Sequence, residues 1–143
     1  MTQEDRKLLL KDLCSRLLYG IQAEGEYEED VNYENPFGRL EKSIGYVDGI
    51  DHIGFDDSAI YVIIEGIPCE LGTVKLYLKP MSSMTEEEDK EFALLQVNTH
   101  NSGFLYAIDA ANMINWLNAH HFDHCGLIEK GLALEAPEGM YKT

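Results

Sequence analysis

The chain has 143 residues, of which 26 are acidic and 11 are Lys or Arg, so its formal net charge is −15. Proteins that grip a nucleic-acid backbone or an anionic membrane need clustered Lys and Arg, so this balance argues against both and favours a basic protein partner. An apolar fraction of 45% is enough for a hydrophobic core, and we expect residues 1–143 to form one domain of ordinary size.

The chain opens with its clearest helical pattern, over residues 3–18. The leucines of this stretch recur at spacings of three and four residues, which places them on one face of a helix. Thr2 can cap the first turn, and Gly20 can supply a left-handed stop. We expect this amphipathic helix to dock on its own domain.

Between about residue 20 and residue 80 the apolar period changes to two, which predicts short antiparallel strands. The predicted strands are 20–27, 39–47, 50–55, 59–65 and 74–79. Asp48-Gly49 is expected to be a hairpin turn, because both residues of such a turn must tolerate positive φ. Residues 56–58 form a second predicted turn, and residues 28–37 a predicted exposed loop.

Two helices are predicted in the second half of the chain. Thr85 and Glu88 have the spacing of a capping box, which starts a helix that runs to about residue 97. A second helical pattern covers residues 105–119, and the remainder is expected to be an ordered tail with little helix. The predicted fold class is therefore α+β: an N-terminal helix, a small antiparallel β-meander or SH3-like barrel, and two C-terminal helices.

Acidic residues are concentrated in two stretches. The stretch at residues 86–91 is explained largely by the preference of carboxylates for a helix N-terminus. The other contains no Lys or Arg, and its acids are Glu24, Glu26, Glu28, Glu29, Asp30 and Glu34. We interpret this second stretch as the candidate surface for a basic protein partner.

Residues 120–125 gather three of the five histidines with a thiol and a carboxylate. On a continuing helix His120 and His124 would share a face, as would His121 and Cys125, and such pairs can reach one transition-metal ion. A closed zinc site needs four ligands, however, and no CxxC or HExxH pattern supplies the rest. The preferred alternative is that the histidines cap a helix C-terminus, so no catalytic residue, metal or cofactor is predicted.

The three cysteines, Cys14, Cys69 and Cys125, are widely spaced and odd in number, which does not suit a disulfide scaffold. Cys125 beside His121 could pair a nucleophile with its base, but a free thiol is the simpler explanation. The N-terminal residues are too polar for the core of a signal peptide, and their apolar run is too short to span a bilayer. A cytoplasmic location is therefore expected.

Three stretches of the chain together carry a resemblance. They are LYLKPMSSMTEEE at 76–88, WLNAHHFD at 116–123 and the segment from GLI to GLALEA at 126–136. In these stretches the chain resembles a family of short, acidic, uncharacterised bacterial proteins associated with phage or other mobile elements. The resemblance implies no activity and no site. Other residues often occupy positions 124 and 125 in that family, which counts against a shared metal site.

These features lead to three functional hypotheses. The first is a non-enzymatic binding or adaptor protein whose acidic surface binds a basic protein. In a more specific version of this hypothesis, the chain mimics the charge of DNA and occupies a nucleic-acid-binding protein. The second is a metal-dependent or thiol enzyme built on His120, His121, His124 and Cys125. The third is a structural component of a larger assembly.

Overall fold

The computed structural model describes residues 1–29, 38–52, 60–101 and 106–141. Its helices are α1 (Gln3–Arg16), α2 (Glu86–Asn101) and α3 (Tyr106–Ala119), and its strands are β1 (Gln22–Glu29), β2 (Arg39–His52), β3 (Ile60–Ile64), β4 (Ile67–Glu70), β5 (Lys75–Leu78) and β6 (Ala133–Glu135). The predicted α+β class is confirmed at this level, with an N-terminal helix, a mostly antiparallel sheet and two further helices.

Helix α1 begins as its sequence predicts. The Asp5 N–H donates to the Thr2 hydroxyl oxygen at 3.0 Å, and the Thr2 N–H donates to the Asp5 carboxylate at 3.1 Å. This reciprocal capping box satisfies two of the N–H groups that a helix start leaves unpaired. A short 3-10 turn, Leu17–Tyr19, follows α1, and Gly20 ends it with φ 71°, which confirms the left-handed stop.

The six strands form one sheet in the order β4-β3-β2-β1-β5-β6. All neighbouring pairs are antiparallel except β5 and β6, which are parallel. The long strand β2 pairs with β1 along its first part and with β3 along its second part. The ladder formed by the described residues does not close into a barrel, so the SH3-like alternative is wrong. The sixth strand, from the C-terminal tail, was not predicted.

The hairpin expected at Asp48-Gly49 is also wrong. Strand β2 runs through both residues, with a register shift between Val47 and Gly49, so the two strands predicted on either side are one strand. The tight turn lies at Glu65-Gly66, between β3 and β4, where φ is 50° and 77°. The Asp48 carboxylate accepts a hydrogen bond from the Gly66 N–H at 2.7 Å, so Asp48 stabilises this distant turn.

Several sequence predictions fall wholly or partly outside the described residues, among them the end of the strand predicted at 50–55. The loop prediction at 28–37 is wrong for Glu28 and Glu29, which belong to β1, and residues 30–37 lie outside the described residues. The turn predicted at 56–58 lies outside as well.

The hydrophobic core lies between α1, one face of the sheet and the C-terminal segment. Its fully buried apolar side chains include Leu9, Leu13, Ile21, Ala23, Val62, Ile64, Cys69, Val74, Leu76, Leu78 and Leu127. Two charged residues are buried on the same face of α1, namely Asp12 with 3% exposure and Arg16 with 0%. They follow Leu9 by three and seven residues, a spacing that keeps them on its helical face.

Helix α2 starts at the predicted capping box. The Glu88 N–H donates to the Thr85 hydroxyl oxygen at 3.1 Å, and the Thr85 N–H donates to the Glu88 carboxylate at 3.0 Å. The helix continues to Asn101, beyond the end predicted near residue 97, because nothing in the intervening sequence stops a helix.

Trp116 connects α3 to α2. Its ring stacks on Phe92 with 5.6 Å between the ring centroids, and its indole N–H donates to the Glu91 carboxylate at 3.2 Å. These contacts hold the second and third helices together. Of the helices in the described ranges, none combines the length and apolar character that a bilayer crossing needs.

Candidate functional site

A groove of about 870 Å³ lies between the end of β1 and the β3–β4 hairpin. It is lined by Glu26, Tyr27, Glu28, Glu29, Leu40, Tyr61, Ile67, Pro68, Glu70 and Thr73. Four of these ten residues are glutamates, two are tyrosines, and none is Lys or Arg. We call this feature the acidic groove, because it combines negative charge with aromatic and aliphatic surface.

The groove depends on a close approach of β1 to β4. A Cβ placed on Gly25 would lie 2.7 Å from the Cβ of Cys69, so glycine is the residue that allows this contact. The Thr73 hydroxyl accepts a hydrogen bond from the Glu26 N–H at 2.9 Å, which fixes the next residue of β1. The described ladder pairs β1 with β5 only up to Glu24, so the end of β1 is presented to the groove.

The structure brings together three of the six acidic residues predicted as a partner surface. Glu26, Glu28 and Glu29 line the groove, where Glu26 is half-buried and the other two are exposed. Asp30 and Glu34 lie outside the described residues. Strand β1 thus carries the predicted surface as far as Glu29, although Glu28 and Glu29 were expected to lie in a loop.

Glu24 and Glu70 differ from this prediction in opposite ways. Glu24 lies away from the groove, where its carboxylate accepts a hydrogen bond from the Tyr77 hydroxyl at 3.1 Å and lies 3.7 Å from the Lys42 ammonium. Burial and this carboxylate raise the pKa of Tyr77. Glu70 was not predicted, because β4 brings it to the groove from a separate part of the chain.

The groove glutamates are not neutralised by ion pairs among the described residues. The ion pairs found there use Asp12, Glu24, Glu41 and Glu88. Arg39 lies opposite Glu29 in the ladder and forms an ion pair with Glu41. Negative potential is therefore left at the groove for a cationic ligand.

A second cluster of polar side chains lies where α1 meets the loop after α3. Asp12, His124 and Cys125 each offer a donor atom, and these atoms lie within 4.8 Å of one another. Asp12 is buried, whereas His124 and Cys125 are half-buried. We call these three residues the Asp–His–Cys cluster.

The loop that carries this cluster is fixed to the end of β5. The Lys79 N–H donates to the His121 carbonyl at 2.8 Å, and the Asp123 N–H donates to the Lys79 carbonyl at 2.9 Å. The Asp123 carboxylate in turn accepts from the N–H groups of Leu127 and Ile128, at 2.8 and 3.0 Å. The turn at residues 124 and 125 is thereby held from both sides.

Arg16 links the cluster to α1. Its Nε and one terminal nitrogen donate to the two Asp12 carboxylate oxygens, at 2.8 and 3.2 Å. The same terminal nitrogen donates to the Phe122 carbonyl at 2.7 Å. Arg16 therefore orients the Asp12 carboxylate and ties the helix to the loop.

His124 joins Cys125 to α3. Its Nε2 lies 2.7 Å from the Asn118 side-chain oxygen, and its Nδ1 lies 3.4 Å from the Cys125 sulfur. An amide oxygen only accepts, so Nε2 carries the proton and the Nδ1 lone pair faces the thiol. Burial lowers the pKa of His124 and raises the pKa of Cys125, which keeps both groups neutral near pH 7. A protonated thiol is a weak nucleophile, so this arrangement does not favour a thiol enzyme.

The other two residues of the predicted metal set point elsewhere. His120 stacks on Trp116 with 4.1 Å between the rings, and its Nδ1 lies 2.9 Å from the Trp116 carbonyl. This is the helix-end contact that the alternative interpretation predicted. His121 stacks on Tyr141 with 3.7 Å between the rings.

The sequence put His124 and Cys125 in one candidate metal set, but it paired them with His120 and His121 and did not include Asp12. A signal for it exists in the sequence. Asp12 and Arg16 are charged residues that fall on the leucine face of α1, where only paired charges are tolerated.

Comparison with known proteins adds no assignment. No protein-family model, no curated protein and no solved structure matches the chain. The acidic groove and the Asp–His–Cys cluster are therefore the features of the described residues from which a function can be argued.

Proposed function

We propose that this chain is a non-enzymatic binding protein that holds a basic segment of a partner protein in the acidic groove. The observation that carries the proposal is the convergence of four glutamates and two tyrosines on one groove whose lining contains no Lys or Arg. Two separate parts of the chain, β1 and the β3–β4 hairpin, contribute these side chains.

The lining suits the chemistry of Lys and Arg. Carboxylates form charge-assisted hydrogen bonds with guanidinium and ammonium groups, and the ring faces of Tyr27 and Tyr61 attract cations. Leu40 and Ile67 offer apolar surface for the methylene stems of these long side chains. The expected ligand is therefore a short segment in which basic residues alternate with apolar ones.

The charge of the whole chain supports the same ligand. A net charge of −15 attracts a basic partner over distance and speeds encounter at low ionic strength. A nucleic-acid-binding protein is one class of partner that fits, because its own binding surface is basic, and mimicry of DNA charge is the corresponding version of the proposal. The mobile-element context implied by the sequence resemblance would suit that version.

The test is affinity capture from the native cells with three forms of the tagged protein. They are the wild type, a groove variant (Glu28→Gln, Glu29→Gln and Glu70→Gln) and a control variant (Glu86→Gln, Glu87→Gln and Glu129→Gln). Both variants lose three negative charges at exposed positions, so the comparison separates the groove from net charge.

We expect mass spectrometry to identify a basic protein that the wild type and the control variant retain at low salt and the groove variant loses. High salt should release it, because the screening length falls from about 10 Å at 0.1 M to about 3 Å at 1 M ionic strength. Equal loss from both variants, or capture that is insensitive to salt, would contradict the proposal.

A further inference from the structure

The Asp–His–Cys cluster shares no residue with the acidic groove, and the proposed function does not use it. We infer that Asp12, His124 and Cys125 form a three-ligand site for a divalent transition-metal ion of the zinc type. The donors would be a carboxylate oxygen, an imidazole nitrogen and a thiolate sulfur, which is a set that zinc accepts. Magnesium and calcium prefer oxygen ligands throughout, so they fit this site poorly.

The spacing of the donor atoms supports the inference. Zinc lies roughly 2.0–2.3 Å from its ligands, so two ligands of a tetrahedral ion are about 3.5 Å apart. The Cys125 sulfur and the His124 Nδ1 are 3.4 Å apart. All three donor atoms lie within 4.8 Å of one another, so a small side-chain adjustment brings Asp12 into the same coordination sphere.

Each of two ligands is already oriented by a neighbour. The Asn118 side-chain oxygen accepts a hydrogen bond from the Nε2–H of His124 at 2.7 Å, which leaves the Nδ1 lone pair for the ion. Arg16 holds the Asp12 carboxylate through two hydrogen bonds. Metal sites use this type of outer contact to fix the tautomer and the direction of their ligands.

The positive charge of Arg16 is balanced within the site. The Asp12 carboxylate and the Arg16 guanidinium carry opposite charges, so the site has no net charge while the Cys125 thiol is protonated. Zinc binding forms the sulfur–zinc bond and releases the thiol proton to solvent. His124 and Cys125 are half-buried, so water can reach the ion as a fourth ligand.

The same geometry also has the order of a nucleophile, a base and an orienting amide in Cys125, His124 and Asn118. The Asp12 carboxylate decides between the two interpretations. A negative charge beside the sulfur opposes formation of a free thiolate nucleophile, whereas it adds a ligand for a cation.

The test is titration of reduced, metal-free protein with Co²⁺ and then with Zn²⁺. We expect one equivalent of Co²⁺ to produce thiolate-to-cobalt charge-transfer absorption, which Zn²⁺ removes and excess Mg²⁺ does not. Cys125→Ser and His124→Gln should lose this absorption. Cys14→Ser and His120→Gln are the matched controls and should keep it.

Asn118→Ala should weaken zinc binding by about 10–100-fold, because it removes an outer contact and leaves the ligands in place. Wild-type protein provides a readout that needs no variant. Bound zinc should protect Cys125 from alkylation, located by peptide mass spectrometry, while the exposed Cys14 stays reactive.

Absence of charge-transfer absorption in the wild type would overturn the inference. The same holds if the absorption survives in Cys125→Ser, or if zinc leaves alkylation of Cys125 unchanged. None of these measurements involves a protein partner, so their outcome does not depend on whether the acidic groove binds a basic segment.

Discussion

Gly25 of β1 and Cys69 of β4 lie in contact although two strands separate them in the sheet. A Cβ on Gly25 would be 2.7 Å from the Cβ of Cys69, while the sheet order places β3 and β2 between their strands. The sheet must therefore curl strongly, even though the described ladder does not close. This curl gives the acidic groove its two walls, one from β1 and one from the β3–β4 hairpin.

We expect Gly25→Ala to lower the free energy of unfolding by about 1–3 kcal/mol, the usual cost of overpacking a filled core. The added methyl group would meet a Cβ, which cannot move away as the end of a flexible side chain can. Urea unfolding measures the change. Gly72→Ala is the control, because its Cβ would only approach the end of the Arg6 side chain, at 3.9 Å.

The same variant connects packing to binding. An alanine at position 25 should push β4 away from β1, so Gly25→Ala should also retain less of the basic partner in the capture experiment. A Gly25→Ala protein as stable as the wild type would contradict the close contact between these strands.

The position of the tight turn gives a second prediction. Gly66 has φ 77°, a conformation that costs a non-glycine residue roughly 1–2 kcal/mol, so Gly66→Ala should lower the free energy of unfolding by about 1 kcal/mol. Gly49 lies within β2 and has open space at its Cβ position, so Gly49→Ala should change stability by less than about 0.5 kcal/mol. Thermal unfolding of the two variants measures this order. The reverse order would place the hairpin at Asp48-Gly49 after all.

Local signals predicted local structure well. The caps at Thr2 and Thr85 were readable because their hydrogen-bond partners lie three residues away. Asp48-Gly49 was misread because the partner of Asp48 is Gly66, and no local pattern reveals a contact over that distance. Pairing of β2 with β3 across these residues overrode the turn propensity of the dipeptide.

The two sites divide in the same way. Glu26, Glu28 and Glu29 were predicted because they adjoin one another in the sequence, whereas Glu70 joins them only through the curl of the sheet. The pattern at residues 120–125 predicted the pairs His120–His124 and His121–Cys125 on a continuing helix, but α3 ends at Ala119 and the structure brings His124 to Cys125. Asp12 comes from α1, so only the docking of that helix reveals it.

The buried pair of Asp12 and Arg16 gives a third prediction, to be measured in chelator so that no metal contributes. Asp12→Ala leaves the Arg16 charge buried without its counter-ion and should lower the free energy of unfolding by about 3–5 kcal/mol. The double variant Asp12→Ala, Arg16→Met removes both charges and should cost clearly less than the sum of Asp12→Ala and Arg16→Met made singly. Additive losses in urea unfolding would contradict a coupled pair.

His121 gives a fourth prediction, for the dependence of stability on pH. Burial, followed by the positive charges of Arg16 and Lys79, lowers the pKa of His121 from 6.5 to about 4. Between these two values the unfolded chain binds a proton that the folded chain does not. The contribution of His121 to the free energy of unfolding is therefore fully present above pH 6.5. It falls as the pH drops towards 4, by about 3 kcal/mol at most.

Urea unfolding near neutral pH and at about pH 4.5 measures this loss. His121→Phe keeps an aromatic ring against Tyr141, where the imidazole now stacks at 3.7 Å, but it cannot take up a proton. It should therefore lose less stability on acidification than the wild type, because carboxylates that titrate at lower pH act equally in both proteins. His120→Phe is the control: it removes only the weakest of the causes that lower the pKa of His121, so it should keep most of the wild-type acid loss. If His121→Phe loses as much stability as the wild type, then burial of the neutral imidazole is not the cause.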